Sequence, residues 1–112
     1  MNDMESDYAD DITVDGKIEP GSNIEITSYQ INKKNGIVTL TVTVKALDTI
    51  AAYATLGQVD YRFRPSNERV YVVGSSGIMF AIKEDGTFQA FSQLTSGSSY
   101  QFTVTYLALD IN

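Results

Sequence analysis

The chain has 112 residues, enough for one domain with a modest hydrophobic core, and it contains neither cysteine nor histidine. This composition excludes disulfides, thiolate metal sites and acid–base catalysis by histidine. The net charge is −6, but residues 1–22 hold seven of the 14 acidic residues and only one base, Lys17. The remaining residues carry seven acids and seven bases, a balance that does not attract the phosphate backbone of nucleic acids.

Residues 1–22 are polar and acidic and include Pro20 and Gly21. We interpret them as a linker or the end of a stalk, and we expect the folded domain to span residues 23–112. Within the linker, Ile12-Thr13-Val14 is compatible with a short edge strand. No apolar run approaches the roughly 20 residues needed to span a bilayer, and no signal-peptide pattern follows Met1. We therefore expect neither a membrane span nor a secretion signal.

The strongest pattern lies at 37–45, where valine or leucine alternates with threonine or lysine. A strand places alternate side chains on opposite faces, so this stretch predicts a central strand with one apolar face. Asn35-Gly36 precedes it and predicts a type I′ hairpin with a strand at 24–33. The apolar residues of that first strand change phase, which indicates a bulge near Ser28 or burial on both faces.

The segment 46–59 predicts a loop with about one helical turn, followed by a short strand around 53–56. Pro65 and Ser66-Asn67 predict a turn, and Glu84-Asp85-Gly86-Thr87 predicts a second hairpin. Further strands are predicted at 69–73, 78–82, 88–91 and 100–109. Six or seven strands without a convincing helix predict an all-β fold, an antiparallel β-sandwich of jelly-roll kind behind a short acidic leader.

Two predicted strands are apolar on both faces, Ile78–Ile82 and the Leu107–Leu109 end of the last strand. Such strands either lie in the middle of the core or contribute to a subunit interface, because large exposed apolar patches are uncommon on monomers.

A candidate binding segment contains Tyr61, Arg62, Arg64, Asn67 and Glu68. Aromatic faces stack on sugar rings, while arginine, asparagine and glutamate form directional hydrogen bonds with hydroxyl groups. These residue types in a turn-rich segment predict a saccharide site.

The alternative is structural. Tyr61 and Phe63 would then anchor the loop, and the arginines would pair with Glu68 or Asp60. Tyr53 and the glycine-serine loops at 74–77 and 96–99 are second candidates for binding, since loops at one end of a sandwich often carry it. The alternative is that these glycine-serine loops only connect strands, because loops without a binding role have the same composition.

The sequence offers little for catalysis. Glu84 and Asp85 are adjacent at a hairpin tip and do not resemble the facing acid and base of a glycosidase. The serines have no histidine or cysteine partner for a triad. The acidic leader lacks the spacing of a calcium loop. We therefore expect no enzymatic activity, no metal and no cofactor.

From Gly36 onward, the order of features resembles the C-terminal head domain of phage tail-fibre and receptor-binding (baseplate) proteins. The similarity covers about three-quarters of the chain and rests on short motifs: Val38–Val44, Ala54–Gly57, Tyr61–Ser66, Val70–Val73, Ile82–Phe88 and Ser99–Tyr106. The chain departs from the family pattern at Gly57-Gln58-Val59-Asp60, where a proline and a glycine are typical.

The resemblance implies a homotrimeric β-sandwich at the tail tip of a phage virion, contacting neighbouring tail proteins and binding host cell-surface saccharides. A second hypothesis is a structural virion or baseplate module that makes protein contacts without binding glycans. A third is a bacterial surface adhesin, or a carbohydrate-binding module appended to an enzyme.

Overall fold

The computed structural model describes residues 17–66 and 69–108. The leader up to Gly16, including Ile12–Val14, lies outside the described residues, and so do Asn67, Glu68 and Leu109. The described chain forms two antiparallel sheets, which confirms the prediction of an all-β fold.

Eight strands build the two sheets. In chain order they are β1 (Ile18–Pro20), β2 (Ile24–Lys34), β3 (Ile37–Ala46), β4 (Thr55–Val59), β5 (Val70–Val73), β6 (Met79–Ile82), β7 (Thr87–Ala90) and β8 (Ser99–Leu107). One sheet has the order β1-β4-β7-β6-β5 and the other β2-β3-β8. Two short 3₁₀ turns, Tyr61–Phe63 and Ser75–Gly77, complete the described secondary structure, and this part of the chain has no helix long and apolar enough to cross a membrane.

β3 is the centre of the three-stranded sheet, as its alternating sequence predicted. Val38, Leu40, Val42 and Val44 are buried, and the intervening threonines lie on the outer face. β8 pairs along the whole length of β3 and buries its own alternate residues, from Tyr100 to Tyr106, in the same core. Burial of these apolar faces between the sheets drives the two layers together.

The predicted hairpin between β2 and β3 is confirmed. Asn35 and Gly36 have φ values of 54° and 79°, the positive angles that a type I′ turn requires at both central positions. The predicted bulge is also present, because the register of β2 against β3 shifts between Ile26 and Ser28. This shift allows Ile24 and Ile31, which differ in phase, to reach the same core.

The five-stranded sheet contains a Greek key. β5, β6 and β7 pair consecutively, and β4 lies beside β7 after a long connection from β4 to β5. This sheet contributes Phe80 and Phe88 to the core. Both rings contact Phe102 of β8, with ring centroids 4.7 and 5.9 Å apart, and so join the two sheets.

Two segments differ from their predicted form. Ile18–Pro20, within the predicted linker, pairs with β4 as an edge strand too short to recognise from its composition. Residues 46–59 form no helical turn, because Ile50 and Leu94 exchange backbone hydrogen bonds of 3.0 and 2.9 Å that hold this segment extended. β4 consequently begins at Thr55, two residues later than predicted.

Candidate functional site

The structure separates the predicted site residues into two groups. Tyr53 lies just before β4, whereas Tyr61, Arg62 and Arg64 follow it. The five residues of β4, about 17 Å of extended chain, therefore separate the two groups. They cannot form one small saccharide site on a single protomer.

The second group is organised by Asp60, which caps the 3₁₀ turn. Its carboxylate accepts hydrogen bonds from the backbone N–H of Arg62 at 3.2 Å and from Arg62 Nε at 2.6 Å. Partial burial acts to raise the pKa of Asp60, but these bonds and the charges of Arg62 and Arg64 outweigh it and lower the pKa. The alternative interpretation of Arg62, pairing with Asp60, is thus confirmed.

Beside this turn lies a cleft of about 250 Å³, lined by Ile18, Glu19, Gln58, Val59, Asp60, Tyr61 and Arg64. Tyr61 is 61 % exposed at its rim, so the loop is anchored by the buried Phe63 rather than by Tyr61. The cleft mixes carboxylates with a guanidinium, and Nε of Arg64 is buried without a hydrogen-bond partner.

Tyr53 belongs to a different cluster, which we call the aromatic platform: Tyr53, Tyr71 and Phe91. Phe91 stands between the two tyrosines in edge-to-face contact, with ring centroids 5.2 Å from Tyr53 and 5.8 Å from Tyr71. Tyr53 is 62 % exposed and Tyr71 is 54 % exposed. The platform therefore presents two rigid aromatic side chains to solvent.

The pleat of the five-stranded sheet places this platform on the outer face. Val70 and Val72 pack toward the core, so Tyr71 between them projects outward. Phe91 directly follows β7, and its N–H donates to the carbonyl oxygen of Met79 at 2.9 Å. Val73 and Met79 are exposed beside the rings and extend the apolar surface.

The backbone of Tyr53 is held in an unusual conformation. Its φ of 71° is in the left-handed region, which side chains other than glycine and asparagine rarely adopt. The N–H of Tyr53 donates to the carbonyl oxygen of Ala90 at 2.8 Å, and a turn from Ala51 to Ala54 surrounds it. A bulky residue at such a position points to a role for its side chain.

A polar residue, Gln89, occupies the same register row of the sheet as Tyr71. Gln89 lies between Phe88 and Ala90, both of which face the core, so its side chain projects to the outer face. It is only 5 % exposed, so it offers little surface to a ligand. Its register neighbours across the sheet are Ala81 and Thr55.

The three residues of the aromatic platform are uncharged, and the exposed Arg69 lies two residues before Tyr71. Tyr53, Tyr71 and Phe91 offer aromatic faces and phenol hydroxyls, the groups that stack on sugar rings and bond to hydroxyls. The sequence alone did not identify Tyr71, Gln89 or Phe91. Their alternation within β5 and β7 indicated outward side chains, but only the pairing of these strands brings them together.

Asp85 and Ser75, a carboxylate and a serine from the segments considered above, make structural contacts. The carboxylate of Asp85 accepts hydrogen bonds from Oγ1 and the backbone N–H of Thr87, at 2.7 and 3.0 Å, and these bonds lower its pKa. Ser75 Oγ accepts from the N–H of Gln101 at 3.0 Å. Across residues 17–66 and 69–108, no three carboxylates come together as a metal site.

No protein-family model matches this chain, and no curated protein matches it either.

Proposed function

We propose that this chain is a non-enzymatic β-sandwich head domain of a phage tail-fibre or baseplate receptor-binding protein, which binds host cell-surface saccharides as a homotrimer at the virion tail tip. The observation that carries the proposal is the aromatic platform. Two tyrosines more than half exposed stand on either side of a shared phenylalanine.

Sugar binding explains the exposed rings of the aromatic platform better than a contribution to folding stability does. Contact between exposed rings contributes only about 0.5–1.5 kcal/mol each, whereas a left-handed tyrosine costs about 1–2 kcal/mol. Tyr53 therefore adds little to folding. Its ring, together with that of Tyr71, is suited to stacking on the apolar faces of pyranose rings.

Further apolar surface supports the trimer. Ile37 and Leu107 are paired in register at one end of the three-stranded sheet, and both are exposed on its outer face. In a homotrimer these residues would be covered by another copy. Mass measurement of the native protein tests this directly, and a monomer at micromolar concentration would exclude the trimer.

The jelly-roll classification is part of the proposal. A jelly roll combines eight strands in two sheets with Greek-key connections. The eight strands, the two-sheet arrangement and the Greek key of β4 to β7 support it.

The binding test compares two tyrosines of equal exposure. Tyr53→Ala and Tyr61→Ala each remove an exposed ring, one from the aromatic platform and one from the cleft at the other end of β4. Titration of each variant with purified cell-wall polysaccharide should show a loss of at least tenfold in affinity for Tyr53→Ala and little change for Tyr61→Ala. The reverse result would move the site to the cleft, and no binding by the wild type to any envelope polysaccharide would refute the adhesin.

The cleft favours a second candidate function, a structural virion module without glycan binding. The exposed Tyr61 and the side chains of Asp60 and Arg64 line this cleft together, where a neighbouring protein would contact them. If the protein is such a structural module, the segment around Tyr61 should be protected from hydrogen exchange in assembled tails. If the protein binds saccharides through the aromatic platform, Tyr53 and Tyr71 should be protected from hydrogen exchange only when saccharide is added.

A further inference from the structure

We propose that the groove between the edges of β1 and β2 is the docking site of the chain's own leader, where Ile12-Thr13-Val14 of the same protomer adds a short strand beside β1. Docking of the leader does not depend on saccharide binding. It covers an apolar side of the sandwich at which an outermost strand of each sheet is exposed.

The edge groove has a volume of about 690 Å³ and lies where β1 and β2, each the outermost strand of its sheet, come close to each other. Its apolar lining comes from Ile18 and Pro20 of β1, Ile26 and Tyr29 of β2, and Leu47 after β3. Ile18, Ile26 and Tyr29 are only partly buried, and Leu47 is 48 % exposed. Apolar side chains gathered in one open groove indicate a surface that another segment covers.

The backbone of β1 directs hydrogen-bonding groups to the outer edge of its sheet. The carbonyl oxygen of Lys17 accepts from the N–H of Asp60 at 2.8 Å, and the N–H of Gly21 donates to the carbonyl oxygen of Leu56 at 2.7 Å. Backbone groups alternate in direction along an antiparallel strand, so the N–H and the carbonyl of Ile18 point away from β4. An added strand would pair with these groups.

The opposite side of the sandwich shows how this fold covers a strand edge. β8 is the other outermost strand of the three-stranded sheet. The N–H of Gln101 donates to Ser75 Oγ at 3.0 Å, and the carbonyl oxygen of Leu107 accepts from the N–H of Ser66 at 2.9 Å. Loop segments thus occupy part of this edge, as proteins commonly arrange to prevent edge-to-edge association. We expect an equivalent cover beside β1.

The leader up to Gly16 supplies a segment that matches the edge groove. It joins the described chain at Lys17, so Val14 lies within about 11 Å of the start of β1, the length of three extended residues. Alternation in a strand would place Ile12 and Val14 on one face, toward the groove, and Thr13 on the other, toward water. Asp15-Gly16, between this segment and β1, is a pair typical of hairpin turns.

Charge does not drive this docking. Glu19 and Glu25 line the edge groove and are exposed, and aspartates flank the leader segment on both sides. These carboxylates repel one another, so the segment is held by apolar contact and by backbone hydrogen bonds. The short reach from Lys17 favours the leader of the same protomer over a leader from another copy.

NMR spectroscopy of the full chain tests the docking directly. The methyl groups of Ile12 and Val14 should show nuclear Overhauser contacts with the Tyr29 ring or the Leu47 methyl groups, and the N–H of Ile18 should exchange slowly with solvent. Absence of these contacts would overturn the proposal. Contacts that appear only between differently labelled copies in a mixed sample would also overturn it, since the leader would then come from a second copy.

Two leader variants identify the docked residues. Ile12→Asp/Val14→Asp should accelerate exchange of the Ile18 N–H by about tenfold or more, because charged side chains cannot occupy an apolar groove without losing their hydration. The matched control Met4→Asp/Tyr8→Asp adds the same charge outside the segment and should leave this amide protected. Equal exchange in the wild type and in Ile12→Asp/Val14→Asp, or equal acceleration by the control, would overturn the assignment of the docked segment.

Discussion

The phenol hydroxyl of Tyr106 donates a 2.5 Å hydrogen bond to the backbone carbonyl oxygen of Phe63. Tyr106 belongs to β8 of the three-stranded sheet, and Phe63 ends the 3₁₀ turn that follows β4 of the other sheet. Both residues are buried, so this bond ties the sheets together beside the cleft that contains Arg64. The two ends of β4 are thereby held by different means, the cleft end by Tyr106 and the platform end by the turn around Tyr53.

Tyr106→Phe should destabilise the protein by about 1–2 kcal/mol, because it leaves the buried carbonyl of Phe63 without a partner. Urea denaturation followed by circular dichroism measures this loss. Tyr61→Phe is the control, since its ring is exposed and its substitution should leave the midpoint unchanged. An unaltered midpoint for Tyr106→Phe would show that the bond contributes nothing to stability.

Burial also raises the pKa of the Tyr106 phenol above its ordinary value of 10.0. The folded protein therefore holds this proton more tightly than the unfolded chain. The associated stability is present below pH 10 and is lost as the pH rises above it. The wild type should lose stability between pH 10 and 12, and Tyr106→Phe should lose less over the same interval. Parallel curves for the two proteins would contradict the assignment.

In acid, we expect the stability of the protein to fall as the pH decreases. The pKa values of Asp60 and Asp85 are below their ordinary value of 3.8, so the stability they contribute is present above about pH 4 and is lost as the pH falls through their folded values. Asp85→Asn should reduce the slope of stability against pH between 4 and 2, measured by thermal denaturation. An unchanged slope in Asp85→Asn would contradict this assignment.

Much of the three-stranded sheet was predictable, because its information is local. The alternation of Val38 to Val44 predicts the strand, the Asn35-Gly36 turn predicts its hairpin partner, and the phase change near Ser28 predicts the bulge. None of these predictions refers to distant residues. The predicted strands at 78–82 and 88–91 were also observed, shifted by about one residue.

The candidate site was less predictable, because it depends on contacts between distant strands. Tyr53 and Tyr61 are close in sequence, yet an intervening strand sends them to opposite ends of the sheet. Tyr71, Gln89 and Phe91 meet only through the Greek-key order of β5, β6 and β7. Alternation indicated which way these side chains point but not which strands are neighbours.

Substitution of Gly57 tests how closely β1 and β7 approach β4. A Cβ atom at this position would lie 2.5 Å from the carbonyl oxygen of Glu19 and 2.7 Å from the ring of Phe88. Gly57→Ala should therefore cost about 2–3 kcal/mol through overpacking. Gly77→Ala meets no atom within 4 Å and carries only the penalty of its positive φ, about 1 kcal/mol. Equal losses in the two variants, measured by urea denaturation, would show that β4 moves to accommodate the methyl group.

Because the backbone of Tyr53 is strained, we expect the usual order of stability between alanine and glycine variants to be reversed at this position. At an ordinary loop position alanine is more stabilising than glycine by about 0.4–1 kcal/mol. With φ at 71°, Tyr53→Gly should instead be about 1 kcal/mol more stable than Tyr53→Ala, because only glycine adopts this conformation freely. Both variants lose the ring contact with Phe91, so this contact cancels in the comparison. Thermal denaturation of the pair measures the difference, and a more stable alanine variant would mean that residue 53 relaxes out of the left-handed region once its ring is removed. Since both variants should also lose saccharide affinity equally, the pair separates the cost of presenting Tyr53 from the function of its side chain.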